Sequence, residues 1–222
     1  MFKKRKLRKK LVNIITNKML NYYDKAQLVQ QILENEEEGN ELLVKLVEEH
    51  KDPKIRKGAA SVMGYLELPD FAPRLIQCLL KEDNWQVRFA LAKTSAILAP
   101  KTAVQKLQQI FSQKKAETNN PKEEHKLKLQ FAESLGWMGL KEGLPILVDM
   151  LKDHANSYTK RERGLQVQII YSLGEIGNRS VVELLRRFSN DPSPERVSIK
   201  QSARTALDKI ARREGLTSRR DL

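Results

Sequence analysis

Apolar or small residues recur along the chain at offsets of 0, +4, +7 and +11, and they do so five times. The sets are Ile55-Ala59-Val62-Leu66, Val87-Leu91-Thr94-Leu98, Leu127-Phe131-Ser134-Met138, Leu165-Ile169-Ser172-Ile176 and Ile199-Ala203-Ala206-Ile210. Side chains three and four positions apart share a helix face, so each set draws one stripe down a helix. Successive stripes begin 32, 40, 38 and 34 residues apart, the length of a helix pair. A second apolar run follows each motif helix but the last: Phe71, Leu75, Ile76 and Leu79; Ala103, Leu107, Ile110 and Phe111; Leu144, Leu147 and Leu151; Val181, Leu184, Leu185 and Phe188. Upstream, 25–36 and 40–50 predict another pair, with Leu28, Ile32, Leu42, Leu43, Leu46 and Val47 facing inward. No sustained alternation and no Asn-Gly or Asp-Gly turn calls for a sheet.

The pattern therefore predicts an all-α fold, an α-solenoid of stacked antiparallel helix pairs with about eleven helices. Residues 1–24 form a basic segment and capping helix, 25–213 the solenoid, and 214–222 a basic tail, with helix 195–213 closing the stack. Pro73 and Pro145 sit early in second helices, where a missing N–H costs nothing. Gly64, Gly136 and Gly174 stand at offset +9, suited to a turn or a close approach. Two polar stretches, 113–122 and 154–163, lengthen the period and are expected to be loops.

The run Asp52-Pro53-Lys54-Ile55-Arg56-Lys57-Gly58-Ala59-Ala60-Ser61-Val62-Met63-Gly64 resembles the signature half of a HEAT repeat. Its continuation Ala72-Pro73-Arg74-Leu75-Ile76, and Gly143-Leu144-Pro145-Ile146-Leu147 later, resemble the phycobilisome lyase HEAT-like subclass. The resemblance covers roughly 40–210 and implies a helical repeat fold. It also implies, as one alternative, a bilin lyase or phycobiliprotein-handling factor, with a phycobiliprotein as partner. In such families, basic residues at offset +1 (Arg56, Arg88, Lys128, Lys200, with Gln166 breaking the series) and acids between helices (Asp52, Asp83, Asp153, Asp191) form ladders that cap helices and tie repeats together.

Charge alters the picture at the ends. The net charge is +13, yet residues 1–20 hold eight Lys or Arg and no acid, and residues 209–222 contribute +3, leaving a nearly neutral body. Lys3, Lys4, Arg5, Lys6, Arg8, Lys9 and Lys10 repel one another and are expected to fray without an anionic partner, contributing few core positions. Such a segment suits an acidic protein, RNA or the ribosome, or an anionic membrane surface.

Candidate chemistry is sparse. Cys78 lies in an apolar run and reads as a packed thiol, and the cysteine count points to a reducing cytoplasm. His50, His125 and His154 lack ligand spacing, so no metal or cofactor is expected, and the acidic run Glu34, Glu36, Glu37, Glu38, Glu41 reads as a solvated turn. Trp85 and Trp137 fit inter-helix turns, and no nucleophile or phosphate-loop motif is present. The chain is expected to bind rather than catalyse, as a scaffold or adaptor for a protein partner with an acidic surface. Its inner face would be lined by second helices, through Arg74, Gln77, Lys81, Gln105, Gln109, Asp149, Arg186 and Arg187. A nucleic-acid-binding protein is the further alternative.

Overall fold

A computed structural model describes residues 2–34, 39–156 and 159–222. Glu36, Glu37 and Glu38 of the acidic run, and the end of the helix expected over 25–36, lie outside them. Among the described residues there are twelve α-helices, against about eleven expected, and no strand. They are α1 Phe2–Thr16, α2 Tyr22–Leu33, α3 Gly39–Glu49, α4 Pro53–Tyr65, α5 Ala72–Leu79, α6 Trp85–Leu98, α7 Ala103–Glu117, α8 Pro121–Met138, α9 Leu144–His154, α10 Lys160–Ile176, α11 Val182–Ser189 and α12 Val197–Arg213. Short 3-10 turns precede α5, α9, α11 and α12. The chain divides into two compact units, Met1–Leu107 and Gln108–Leu222, and the division falls within α7. Each unit is a stack of helix pairs of the α-solenoid type.

Every stripe position is buried except Leu66, which caps the end of α4. In the first unit α4 packs on α6, and in the second α8 packs on α10 and α10 on α12. Within these stacks the motif helices meet at a repeated joint. The offset +9 glycine of one lies against the +7 residue of the next: Gly64 on Thr94, Gly136 on Ser172 and Gly174 on Ala206. A Cβ at Gly136 would stand 2.9 Å from Ser172 Cα, nearer than side chains approach a backbone. These glycines serve close approach rather than a turn, since all three lie inside helices. At two joints the +7 hydroxyl donates to the +5 carbonyl of the preceding helix, Thr94 to Ala60 at 2.8 Å and Ser172 to Ala132 at 2.7 Å. Ser134 instead donates to Gln130 of its own helix at 2.7 Å.

Several expectations change. The loop over 113–122 is mostly helix, because α7 continues through Lys114 and Lys115, whose charges suit its C-terminal carbonyls. Asn120 then caps α8, with Pro121 in its first turn. In α2 the buried positions are Lys25, Ala26 and Val29, and Leu28 is exposed. Lys25 gains entry to the core by donating to the Ile15 carbonyl at 2.9 Å. The start of the tail is tied back to α12 by backbone hydrogen bonds. Gly215 adopts φ 73°, while Gly215 N–H and Leu216 N–H bond the Arg212 and Ala211 carbonyls, a Schellman ending.

Candidate binding surfaces

Residues that repeat at helix starts turn out to hold the helices together. Arg56 donates to the carbonyls of His50 and Lys51 at 2.7 and 3.1 Å and grips Glu82 at 2.7 and 2.8 Å. Arg88 reaches the equivalent carbonyls of Glu82 and Asp83 at 3.2 and 2.8 Å. Gln166, the break in the cationic series, does the same work without charge by donating to the His154 carbonyl. Burial alone would raise the Glu82 carboxyl, but the Arg56 guanidinium and neighbouring N–H donors hold it below its usual range. The acids are less regular than expected. Asp52 caps α4 and Asp191 binds Ser193 N–H and Arg196, but Asn84 rather than Asp83 caps α6, and Asp153 lies within α9.

The N-terminal cations stand on a formed helix instead of a frayed segment. Leu7, Leu11 and Ile15 are buried along one side of α1, and α1 packs against α4. Gly58 permits this, since a Cβ there would overlap the Ile15 side chain. Lys3, Lys4, Arg5, Lys6, Arg8, Lys9 and Lys10 are all exposed. Burial of Leu7 supplies the anchoring that self-repulsion would otherwise defeat, and it is the one buried position among residues 3–10, in keeping with the few core positions expected there.

The C-terminal cations are engaged internally. Arg213 donates to the Gly174 and Gly177 carbonyls at 2.7 and 2.6 Å, closing the end of α10. Lys209 pairs with Glu175 and lies 4.0 Å over the Tyr171 ring, and Arg219 bonds Asp208 at 2.8 and 3.0 Å. Arg212 and Arg220 are exposed.

The residues expected on an inner face fall into both units. In the first, Arg74 is held by Glu48 at 2.6 and 2.8 Å and by Glu41 at 2.6 Å, so its charge is largely answered. Those contacts raise the Arg74 pKa further and lower that of Glu41. Gln77, Lys81 and Gln105 are exposed. In the second unit Gln109 is exposed, Asp149 lies 3.9 Å from Lys152, and Arg186 pairs with Glu183 at 2.6 Å. Arg187 borders a groove of about 550 Å³ with Lys152 and Asn156 on its rim and Leu184, Phe188 and Arg196 beneath.

Cys78 is half-buried, and burial pushes its thiol up to about 11, away from nucleophilic reactivity. His154 Nδ1 meets Glu162 at 2.6 Å, while burial lowers the His125 pKa and keeps that ring neutral near pH 7. Among the described residues no cluster of His, Cys, Asp and Glu could hold a metal ion, and no helix is long and apolar enough to cross a membrane.

One surface was not expected from the sequence. α1, α4 and α6 contain no acid at all, and they pack in succession, α1 on α4 and α4 on α6. Exposed rings stand on the same helices: Trp85 is 58% and Phe89 40% exposed, and Tyr65 is 56% exposed and meets Tyr23 edge-on at 6.5 Å, while the aliphatic Ile97 is 60% exposed. The signal was available as acid-free helices, but charge averaged over the body hid it.

One family model agrees with the repeats. Residues 40–119 match the family model described as HEAT repeats. Among curated proteins none is similar in sequence. A solved structure, the complex of CpcE and CpcF of phycocyanin lyase from Nostoc sp. PCC7120, is similar at 19% identity and a TM-score of 0.40, covering 91% of this chain and 75% of that one.

Proposed function

We propose that this chain, with its HEAT repeats, is a non-catalytic scaffold that holds a protein partner along its second helices and engages an anionic surface through α1. One observation carries the reading: seven cations are displayed on a helix whose other side is locked into the fold by Leu7, Leu11 and Ile15. A pre-formed cationic helix binds without first ordering a loose segment, which removes an entropic cost of association. The groove beside Arg187 and Lys152, with Leu184 and Phe188 beneath, fits an acidic and apolar side-chain pair of a partner.

The test removes charge while keeping the helix docked. In full-length protein, Lys3, Lys4, Arg5 and Lys6 are changed to Gln together, with Leu7 untouched. Association with partners captured from the native host should slow about tenfold at low salt, and rising salt should erase the difference. Equal association rates across the salt series would refute the role of α1. Deleting residues 1–10 is the poorer experiment, because it also removes buried Leu7.

A further inference from the structure

The acid-free helices of the first unit offer more than charge. α1 carries seven exposed cations, α4 adds exposed Lys54 and half-buried Lys57, and α6 adds exposed Lys93. Among the described residues, acids stand on neighbouring α2 and α3 and at helix ends. Asp52 is spent capping α4 and Glu82 gripping Arg56, while Glu67 and Asp83 are exposed, and Asp24 lies on α2. On α6, Trp85, Phe89, Lys93 and Ile97 follow one another at intervals of four residues, all exposed, with the Lys93 ammonium 5.8 Å from the Phe89 ring centre. Four-residue spacing keeps them on one side of the helix.

We infer that the exposed residues of α1, α4 and α6 bind single-stranded nucleic acid, phosphates on the lysines and arginines and bases on the Trp85 and Phe89 rings. The inference deepens the reading of α1 as an anion-binding helix and rests on it. A membrane is disfavoured because the apolar side of α1 is already buried in the protein. A protein partner fits less well, since interface cores shed lysine, whereas single-strand sites interleave cations with open rings. A duplex fits less well too. Positions four apart on a helix rise about 6 Å, wider than the ~3.4 Å step of stacked bases, so bases reach both rings only when unstacked.

The experiment uses the full chain and fluorescein-labelled dT12 and U12 in a salt series. The sequence has two tryptophans, so Trp137→Phe leaves Trp85 as the sole tryptophan, to be excited selectively over tyrosine. Oligonucleotide should quench that emission. Trp85→Ala with Phe89→Ala should weaken binding about tenfold or more while leaving the salt slope unchanged. The four-site Gln variant of α1 should flatten the salt slope by about 0.7 for each phosphate it no longer neutralises. Both exposed-ring variants should fold normally by circular dichroism. Unquenched Trp85, or binding indifferent to removal of both rings, would overturn the inference. So would equal affinity for a 12-base-pair duplex, or equal competition by polyglutamate of matched charge. If the α1 variant weakens binding and the ring variants do not, α1 stands as an anion-binding helix and the nucleic-acid inference alone falls. If the α1 variant changes nothing, both fall.

Discussion

The motif helices of the two units share an inward side and differ outward. In the first unit α4 and α6 carry no acid, and Tyr65, Trp85, Phe89 and Ile97 stand in solvent. In the second, the outward residues answer one another: Glu124 with Lys128 at 3.0 Å, Glu175 with Lys209 under the Tyr171 ring, Asp208 with Arg219. The joint beneath is the same in both, a glycine under a hydroxyl that reaches a carbonyl. One packing scheme thus supports two surfaces, because packing constrains only the buried offsets. The outward offsets carry exposed rings in one unit and ion pairs in the other.

The largest test of that shared interior is a cavity in each unit. Leu91 and Leu173 are fully buried, and either changed to Ala should cost about 3 kcal/mol in urea unfolding. A cost below ~0.5 kcal/mol at either would show that its stripe does not face a core. The joint itself comes next. Gly136→Ala should cost about 2–3 kcal/mol by overpacking, because the new methyl meets Ser172 backbone. Gly64→Ala should cost under ~1 kcal/mol, since its nearest neighbour is the Thr94 hydroxyl at 3.2 Å. Equal costs would make the two joints interchangeable.

Ion pairing at the helix starts gives a pH-dependent test. Glu82→Gln should cost about 1.5–2 kcal/mol at pH 7, the scale of a charged hydrogen bond removed. Its folded pKa lies below the ordinary 4.5, so the contribution is complete above that value and disappears as pH falls through the lower folded one. The wild type should therefore lose its advantage over the variant on acidification, and an advantage that does not shrink as pH falls below 4.5 would contradict the pairing. The smallest effects separate the two surfaces. Lys209→Met should cost about 0.5–1 kcal/mol, whereas Trp85→Ala should leave stability within ~0.5 kcal/mol. A larger loss at Trp85 would make that ring structural and close the comparison.

Much of this architecture was legible because helical periodicity and burial are the same signal. The stripes and the early prolines were read directly from spacing, and Arg56 and Arg88 hold helices as the family resemblance implied. What was missed depends on neighbours in space. Leu28 looks like a core residue until Lys25 and Val29 take the inward side of α2. Gln166 looks like a break until its amide reaches the carbonyl that arginines reach elsewhere. A charge count along the chain mixes the acids of α3 with the cations of α4, which are adjacent in sequence yet occupy different helices. The exposed rings of α6 were likewise ambiguous, since a tryptophan at a helix start can pack or protrude.

The Gly136–Ser172 joint has a consequence for how such a chain could lengthen. α10 carries both halves of the fitting, Ser172 to receive a glycine from the helix before it and Gly174 to accept the helix after it. A tandem copy of α10 and α11 inserted after α11 would place Gly174 of the first copy against the serine of the second. That repeats the contact Gly136 makes with Ser172, with the Ile170 carbonyl standing where the Ala132 carbonyl does. Both halves of the joint thus sit on one helix, and duplication would supply them together, with Ile170 rather than Ala132 at the +5 position of the seam.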